Sequence, residues 1–173
     1  KEETRLAFTL YGTPSESTAG RLCEIDQKNY GTIEGVTDKG YYTNSYHVTP
    51  SEDIDAFSKL KLESQFQAIS TGGCISYIEI PNMMNNLEAI ETVIDFMYNN
   101  ITYAEFNTKL DYCQVCGYDG EIIINDDLVW ECPQCHNKDM QKMNVVRRTC
   151  GYLGENFWSK GRTKDIKDRV MHL

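Results

Sequence analysis

Two Cys-x-x-Cys pairs, Cys113/Cys116 and Cys132/Cys135, flank the 15-residue stretch 117–131. Two residues between thiols let both sulfurs turn into one tetrahedral site. Within the stretch, residues 121–124 and 128–131 read as short strands around the turn formers Asn125, Asp126 and Asp127, a hairpin that carries the second pair back to the first. The spacing fits a zinc ribbon. Iron in a rubredoxin-like site would satisfy the same four thiolates, and spacing alone does not separate the two metals. Four reduced thiols without metal would make the double spacing an accident. A set of four protein thiolates leaves no open coordination position, which makes the site structural rather than hydrolytic. His136, next to the last thiol, reads as a surface residue, with replacement of one thiolate as the other use of an imidazole there.

Composition bounds what can surround this centre. The chain has 173 residues, 40% of them hydrophobic, enough for one ordinary domain with a small appendage. The apolar runs are too short to span a bilayer, and Lys1-Glu2-Glu3-Thr4-Arg5 lacks the apolar stretch of a secretory signal, so a soluble cytoplasmic protein without a membrane partner is expected. Of seven cysteines, three (Cys23, Cys74, Cys150) lie outside the quartet, an odd remainder that argues against a disulfide framework. A formal charge of -9 disfavours nucleic acid as a partner, because neutralising phosphates takes a surplus of Lys and Arg.

The elements that must position the centre read as α/β. Residues 6–11 predict a strand running into Gly12-Thr13-Pro14-Ser15-Glu16-Ser17. There Thr13 can cap a helix, Pro14 suits the first helical position, and Glu16 completes a capping box. The free amides of such a helix entrance also suit a phosphate, and plain capping is the alternative. Residues 31–50 read as loop and extended chain; their hydroxyls could line a polar pocket or serve as turn and edge residues, and His47 reads as structural. Ser51 is expected to cap a helix of some sixteen residues with Ile54, Phe57, Leu60, Phe66 and Ile69 on its apolar face. After the break at Gly72-Gly73, residues 74–80 read as a strand, which makes strand, helix, strand a parallel crossover. A second helix is expected over 87–100, with Leu87, Ile90, Val93, Ile94, Met97 and Ile101 facing the core. Residues 144–149 predict a strand entering a Cys150-Gly151 turn, and Thr163 is a candidate cap for a closing helix carrying Ile166 and Val170.

Arg147-Arg148-Thr149-Cys150-Gly151-Tyr152-Leu153-Gly154, the following Gly161-Arg162 and the four-cysteine knuckle just upstream together resemble the carboxyl-terminal region of the anaerobic (class III) ribonucleoside-triphosphate reductases, which are glycyl radical enzymes. The resemblance extends to Gly12-Thr13-Pro14-Ser15-Glu16, to Tyr41-Tyr42-Thr43-Asn44-Ser45 and to Gly72-Gly73-Cys74-Ile75-Ser76-Tyr77, so it covers nearly the whole chain. It gives Gly151 a chemical reason to be glycine. An α-carbon radical shared between the amide nitrogen and the carbonyl requires a flat centre, which a β-carbon would crowd. From Cys-Gly-Tyr alone, a glycine that only turns the chain would be the simpler reading. Cys150 is not assigned a catalytic role, since neighbours on an extended chain point in opposite directions.

The resemblance implies the last strands and helices of a ten-stranded α/β barrel (residues 1–109), a four-cysteine zinc ribbon (110–138) and a radical loop with its closing helix (139–173). It implies zinc on Cys113, Cys116, Cys132 and Cys135, and a stored radical on Gly151 installed by an activase that uses S-adenosylmethionine and an iron-sulfur cluster. Thr13, Ser15, Glu16 and Ser17 would hold the phosphates of a ribonucleoside triphosphate. The thiyl cysteine, the regulatory sites and the rest of the barrel would lie outside this region, and a homodimer is expected. The alternative is a noncatalytic zinc-ribbon module that contacts other proteins.

Overall fold

The computed structural model describes residues 9–12, 18–43, 45–148, 153–155 and 158–173. The elements run α1 (Thr18–Tyr30), α2 (Ala56–Gln67), β1 (Ser76–Glu79), α3 (Leu87–Asn100), β2 (Ala104–Asn107), β3 (Tyr112–Cys113), β4 (Ile123–Ile124), β5 (Trp130–Glu131), a 3-10 turn (Met140–Lys142), β6 (Met143–Asn144), β7 (Val146–Arg148), β8 (Leu153–Glu155) and α4 (Lys160–Lys167). β1 and β2 pair in parallel from Ser76 with Ala104 to Glu79 with Asn107, with α3 as the crossover between them. A further parallel bridge joins Tyr11 to Gly73, as expected for a chain entering the same sheet direction before α2. The remaining pairs, β3 with β6, β4 with β5 and β7 with β8, are antiparallel. No helix among the described residues is long and apolar enough to cross a membrane.

Two cores hold these elements. Ala56 and Leu60 of α2, Ile78 of β1 with Ile80 just after it, and Val93 and Met97 of α3 form the first. Ile122, Trp130, Met143, Val145 and Ile166 close around Cys113 and Cys132 to form the second, so the cysteine hairpin and α4 share one interior. The parallel pair therefore has an apolar face toward the helices. Its opposite face, by strand alternation, carries Tyr77, Glu79, Glu105 and Asn107.

Two helix starts differ from the sequence expectation. Asp55, not Ser51, caps α2, its Oδ1 accepting from the amides of Phe57 and Ser58 at 2.9 and 3.0 Å. The segment before it is occupied by the end of the chain: the Pro50 carbonyl accepts from the Val170 amide at 3.0 Å, and the Ala56 amide donates to the His172 carbonyl at 3.0 Å. α4 is capped by Ser159, whose Oγ accepts from the Arg162 amide at 3.3 Å. Thr163 lies inside that helix and is buried. α3 matches its expected span and is capped by Asn86, though Leu87 and Ile94 of its apolar stripe are exposed.

α2 also presents a different face from the one its apolar residues suggest. It buries Ala56, Lys59, Leu60, Glu63 and Gln67, while Phe66 and Ile69 are exposed. The polar members are held by specific partners, several of them distant in sequence. Lys59 Nζ donates to Glu63 Oε1 at 2.6 Å and to the Tyr77 carbonyl at 2.8 Å. Gln67 Nε2 donates to Ser76 Oγ and to the Tyr103 carbonyl at 2.9 Å each, and its Oε1 accepts from the amides of Thr102 and Tyr103. Buried polar groups are tolerated where they are satisfied in this way. Leu60→Ala is expected to cost roughly 2–5 kcal/mol of stability, and Phe66→Ala less than about 1 kcal/mol. Urea titration of the two variants checks which face is inside.

Candidate functional site

The two cysteine pairs form matching knuckles. In the first, the Cys113 amide donates to the Tyr118 carbonyl and the Gly117 amide to the Cys113 carbonyl, both at 2.9 Å. In the second, the Cys132 amide donates to the Asn137 carbonyl and the His136 amide to the Cys132 carbonyl, again at 2.9 Å. The residue after each second cysteine is left-handed: Gly117 at φ 74° and, at the equivalent place, His136 at φ 60°. Glycine takes that conformation freely and histidine at some cost. The His136 ring stays outside the sulfur cluster, with Nδ1 2.8 Å from Glu131 Oε1.

β4 and β5 form the expected hairpin, and its turn is fixed by Asn125, whose Oδ1 accepts from the amides of Asp127 and Val129 at 3.0 Å each. The hairpin brings all four sulfurs within 4.8 Å of one another. Cys113 Sγ lies 3.7 Å from Cys135 Sγ, and Cys116 Sγ 3.6 Å from Cys132 Sγ. Four thiolates at about 2.3 Å from a tetrahedral centre would stand about 3.8 Å apart, so the quartet fits a metal such as zinc. Burial works against the Cys113 thiolate, yet the amides of Cys116 and Val115 bring its pKa down to about 6. Burial and the neighbouring sulfurs hold Cys116 up at about 12. A divalent cation removes that division, because it favours the thiolate at every position.

The centre is tied to the strand that leads toward Gly151. Asp111, two residues before the first thiol, accepts both Nη atoms of Arg147, with Nη2 to Oδ2 at 2.6 Å. Arg147 is 2% exposed and Asp111 1%. Ile122 in the hairpin completes the clamp: its amide donates to Asp111 Oδ2 at 2.8 Å, and its carbonyl accepts from Arg147 Nη2 at 3.2 Å. The guanidinium also lies 5.2 Å from the centroid of the Trp130 ring. Such planar, bidentate recognition is what arginine provides and lysine does not.

The next residue turns the other way. Arg148 Nε stands 2.7 Å from Glu105 Oε2 on β2. The Arg148 carbonyl accepts from Arg169 Nη1 at 2.7 Å, and the same nitrogen reaches Glu79 Oε1 at 3.1 Å. Glu79 Oε1 in turn accepts from Asn107 Nδ2 at 2.6 Å. The polar face of the parallel pair is thus answered by arginines from the carboxyl-terminal part. The β7–β8 ladder has Arg148 with Leu153 as its last register pair, which brackets residues 149–152. Gly151 and Cys150 lie outside the described residues, as do Thr13, Ser15, Glu16 and Ser17; α1 begins immediately after the latter, at Thr18.

The polar segment 41–48 is mostly spent on tertiary contacts. Tyr41 Oη donates to Asp168 Oδ2 at 2.9 Å, Tyr42 Oη to Asp26 Oδ2 at 2.6 Å, and Tyr46 Oη to the Ile75 carbonyl at 3.2 Å. His47, with Nδ1 3.3 Å from Glu63 Oε2, borders a cavity of about 750 Å³ together with Tyr11, Gly12, Cys74 and Tyr103. The contacts that sequence reasoning missed are Asp111, Glu105, Glu79 and Arg169. Glu79 and Glu105 are charged residues in extended stretches, and Arg169 is one of several charges at the end of a helical segment; none of these patterns names a partner.

Fold and site together define an α/β protein with a built-in four-thiolate ribbon clamped to a carboxyl-terminal strand. The chain belongs to the anaerobic ribonucleoside-triphosphate reductase family, whose model matches residues 1–172. It is 43% identical over 176 residues to the anaerobic ribonucleoside-triphosphate reductase of Haemophilus influenzae, an alignment covering 100% of this chain and 25% of that protein. It is 42% identical over 174 residues to that of Enterobacteria phage T4, covering 99% of this chain and 29% of the phage protein. The chain therefore spans about a quarter of the length of the curated relatives it matches. Among solved structures, an anaerobic ribonucleotide reductase superposes with a TM-score of 0.65 at 21% identity, over 98% of this chain and 26% of the other. The Thermotoga maritima enzyme with glycerol in the active site gives 0.52 at 18%, over 96% and 24%. These two likenesses bear on the fold.

Two outcomes follow from the clamps. Asp111→Asn leaves the Arg147 guanidinium buried without its carboxylate and is expected to cost roughly 3–5 kcal/mol, whereas the paired change Asp111→Leu with Arg147→Met is far milder; denaturant unfolding of the three variants checks this. His172 Nδ1 accepts from the Glu79 amide at 2.7 Å, so the ring must be neutral there. Burial, then the charge of Lys59, lowers its pKa from 6.5 to about 4. The stability it contributes is complete above pH 6.5 and is lost as pH falls toward 4. The urea midpoint should decline across that window, and His172→Gln should flatten the slope there.

Proposed function

We propose that this chain is the carboxyl-terminal region of an oxygen-sensitive reductase that converts ribonucleoside triphosphates to deoxyribonucleoside triphosphates for DNA synthesis, with the stored radical on Gly151. The observation that supports this reading best is the stem: Arg147 and Arg148 fix β7 to the thiolate ribbon and to the parallel sheet at once, immediately before the Cys150-Gly151 step. In this reading the metal is zinc, held by Cys113, Cys116, Cys132 and Cys135 as a purely structural ion. The β1–α3–β2 unit belongs to the last part of a ten-stranded barrel whose remaining strands lie elsewhere in the polypeptide. Thr13, Ser15, Glu16 and Ser17, just ahead of α1, hold the substrate's phosphates on the amides of that helix entrance.

The chemistry asks little of this chain beyond position. A separate activase, using S-adenosylmethionine and an iron-sulfur cluster, removes one α-hydrogen from Gly151. The unpaired electron spreads over the amide nitrogen and the carbonyl because no β-carbon prevents flattening. During turnover the glycine takes a hydrogen atom from a cysteine outside this chain, and that thiyl draws hydrogen from the ribose. The 2′ oxygen leaves as water, and two electrons come from formate, oxidised to carbon dioxide, or from a pair of thiols, oxidised to a disulfide. A cytoplasmic homodimer, with allosteric nucleotide sites outside this region, completes the proposal; the Thermotoga maritima relative was solved with dATP and CTP.

The test uses the full-length protein activated without oxygen. Spin resonance should show a doublet from the remaining α-hydrogen of Gly151, and air should cut the backbone there and release a short carboxyl-terminal piece visible by mass. Gly151→Ala should abolish the doublet, the cleavage and deoxynucleotide formation together. A noncatalytic zinc-ribbon module would show no doublet and would stay whole in air.

A further inference from the structure

α1 and α4 approach each other most tightly at a pair of glycines, Gly20 and Gly161. A β-carbon placed on Gly20 would stand 2.9 Å from the Gly161 α-carbon, and one placed on Gly161 would stand 2.7 Å from the Gly20 α-carbon. Neither glycine is among those with positive φ, so backbone conformation does not demand them. Glycine inside a helix costs about 0.5–1 kcal/mol relative to alanine, which makes two glycines at one crossing a contact kept against local preference. Carbon atoms pack at about 3.5–4.0 Å, so any side chain here would force the two backbones apart by roughly 1 Å.

The two helices are attached to the two ends of the proposed chemistry. Gly20 is in the first turn of α1, three residues after Ser17, at the proposed phosphate entrance. Gly161 is in the first turn of α4, on the chain that returns from residues 149–152 through β8. The crossing is braced from the side. The Tyr42 amide donates to the Ala19 carbonyl at 3.4 Å, Lys164 Nζ donates to the Lys39 carbonyl, and Tyr41 Oη reaches Asp168. The loop after α1 is thereby fastened both to the start of α1 and to α4.

We infer that Gly20 and Gly161 are positioning residues: their backbone contact sets the spacing between the helix that holds the substrate's triphosphate and the segment that presents Gly151. This rests on the proposed reductase reading. Misplacement of reacting groups by about 1 Å can cost on the order of 100-fold in rate. The atoms nearest to the added β-carbons belong to Gly20, Gly161 and Gly40, not to the thiolate ribbon or the Arg147 clamp, so metal binding and radical storage are expected to survive the substitutions.

The experiment compares Gly161→Ala and Gly20→Ala with wild type in the full-length activated enzyme. Four quantities are read: metal content, the yield of the glycine-centred doublet, kcat, and KM for a ribonucleoside triphosphate. The expected result is unchanged metal, an unchanged doublet and a kcat reduced roughly 10- to 100-fold, with any change in KM smaller than the change in kcat. Wild-type turnover in both variants overturns the inference, as does a variant that is simply more stable, as alanine in an unobstructed helix would be. Loss of metal and doublet along with turnover also overturns it, since the crossing would then be a general packing contact. Absence of the doublet in wild type is a different failure: it removes the reductase reading, and this inference with it.

Discussion

The buried pair of Asp111 and Arg147 is the contact on which the carboxyl-terminal half depends. Its two parallel hydrogen bonds would be weak evidence for stability if considered alone, because withdrawing both charges from water costs about what their attraction returns. What the pair supplies is geometry. Asp111 satisfies the Ile122 amide, Arg147 satisfies the Ile122 carbonyl, and the guanidinium lies against Trp130, so one ion pair fixes the start of the ribbon, the first strand of its hairpin and β7 in a single arrangement. The thiolate quartet and the strand leading toward Gly151 are therefore packed around one apolar interior.

Alternation along β7 makes the second attachment possible. Adjacent side chains on a strand leave opposite faces, so Arg147 enters the ribbon while Arg148 meets Glu105 on the parallel sheet. Sliding β7 by one residue would bring Val146 opposite Asp111 or Thr149 opposite Glu105, leaving that carboxylate without its arginine. Register is thus set by charge as well as by the short ladder with β8. Arg169 adds a third hold, on the Arg148 carbonyl, and joins it to Glu79 and Asn107 at the ends of the two parallel strands.

Sequence reasoning recovered what repeats or punctuates. The thiol spacing implied the matched knuckles, Asn125-Asp126-Asp127 the hairpin turn, and the 3.6-residue periodicity of α3 its span. It misplaced α2 because it took burial to follow hydrophobicity. Phe66 and Ile69 promised an apolar face, whereas Lys59, Glu63 and Gln67 are inside, Gln67 held by Ser76 and Tyr103, which lie 9 and 36 residues away. Ser51 and Thr163 were plausible caps, and each lost to a neighbour: Asp55, where the end of the chain occupies the segment before α2, and Ser159, which starts α4 one turn earlier. Glu105, Glu79 and Arg169 were illegible because the pattern of a charged residue says nothing about a partner brought up from a distant strand. Gly161 was visible as part of a motif, but its purpose emerged only when Gly20 was found against it.

The parallel pair has one more physical consequence. Among the described residues, β2 bonds to a neighbouring strand along one margin only, and exposed Tyr98 and Tyr103 lie close to it. Unpaired amides and carbonyls in a row can recruit any extended peptide. Wherever this region is produced without another strand to zip onto that border, copies of it will tend to adhere to one another, and its solubility will be decided at that seam rather than in either interior.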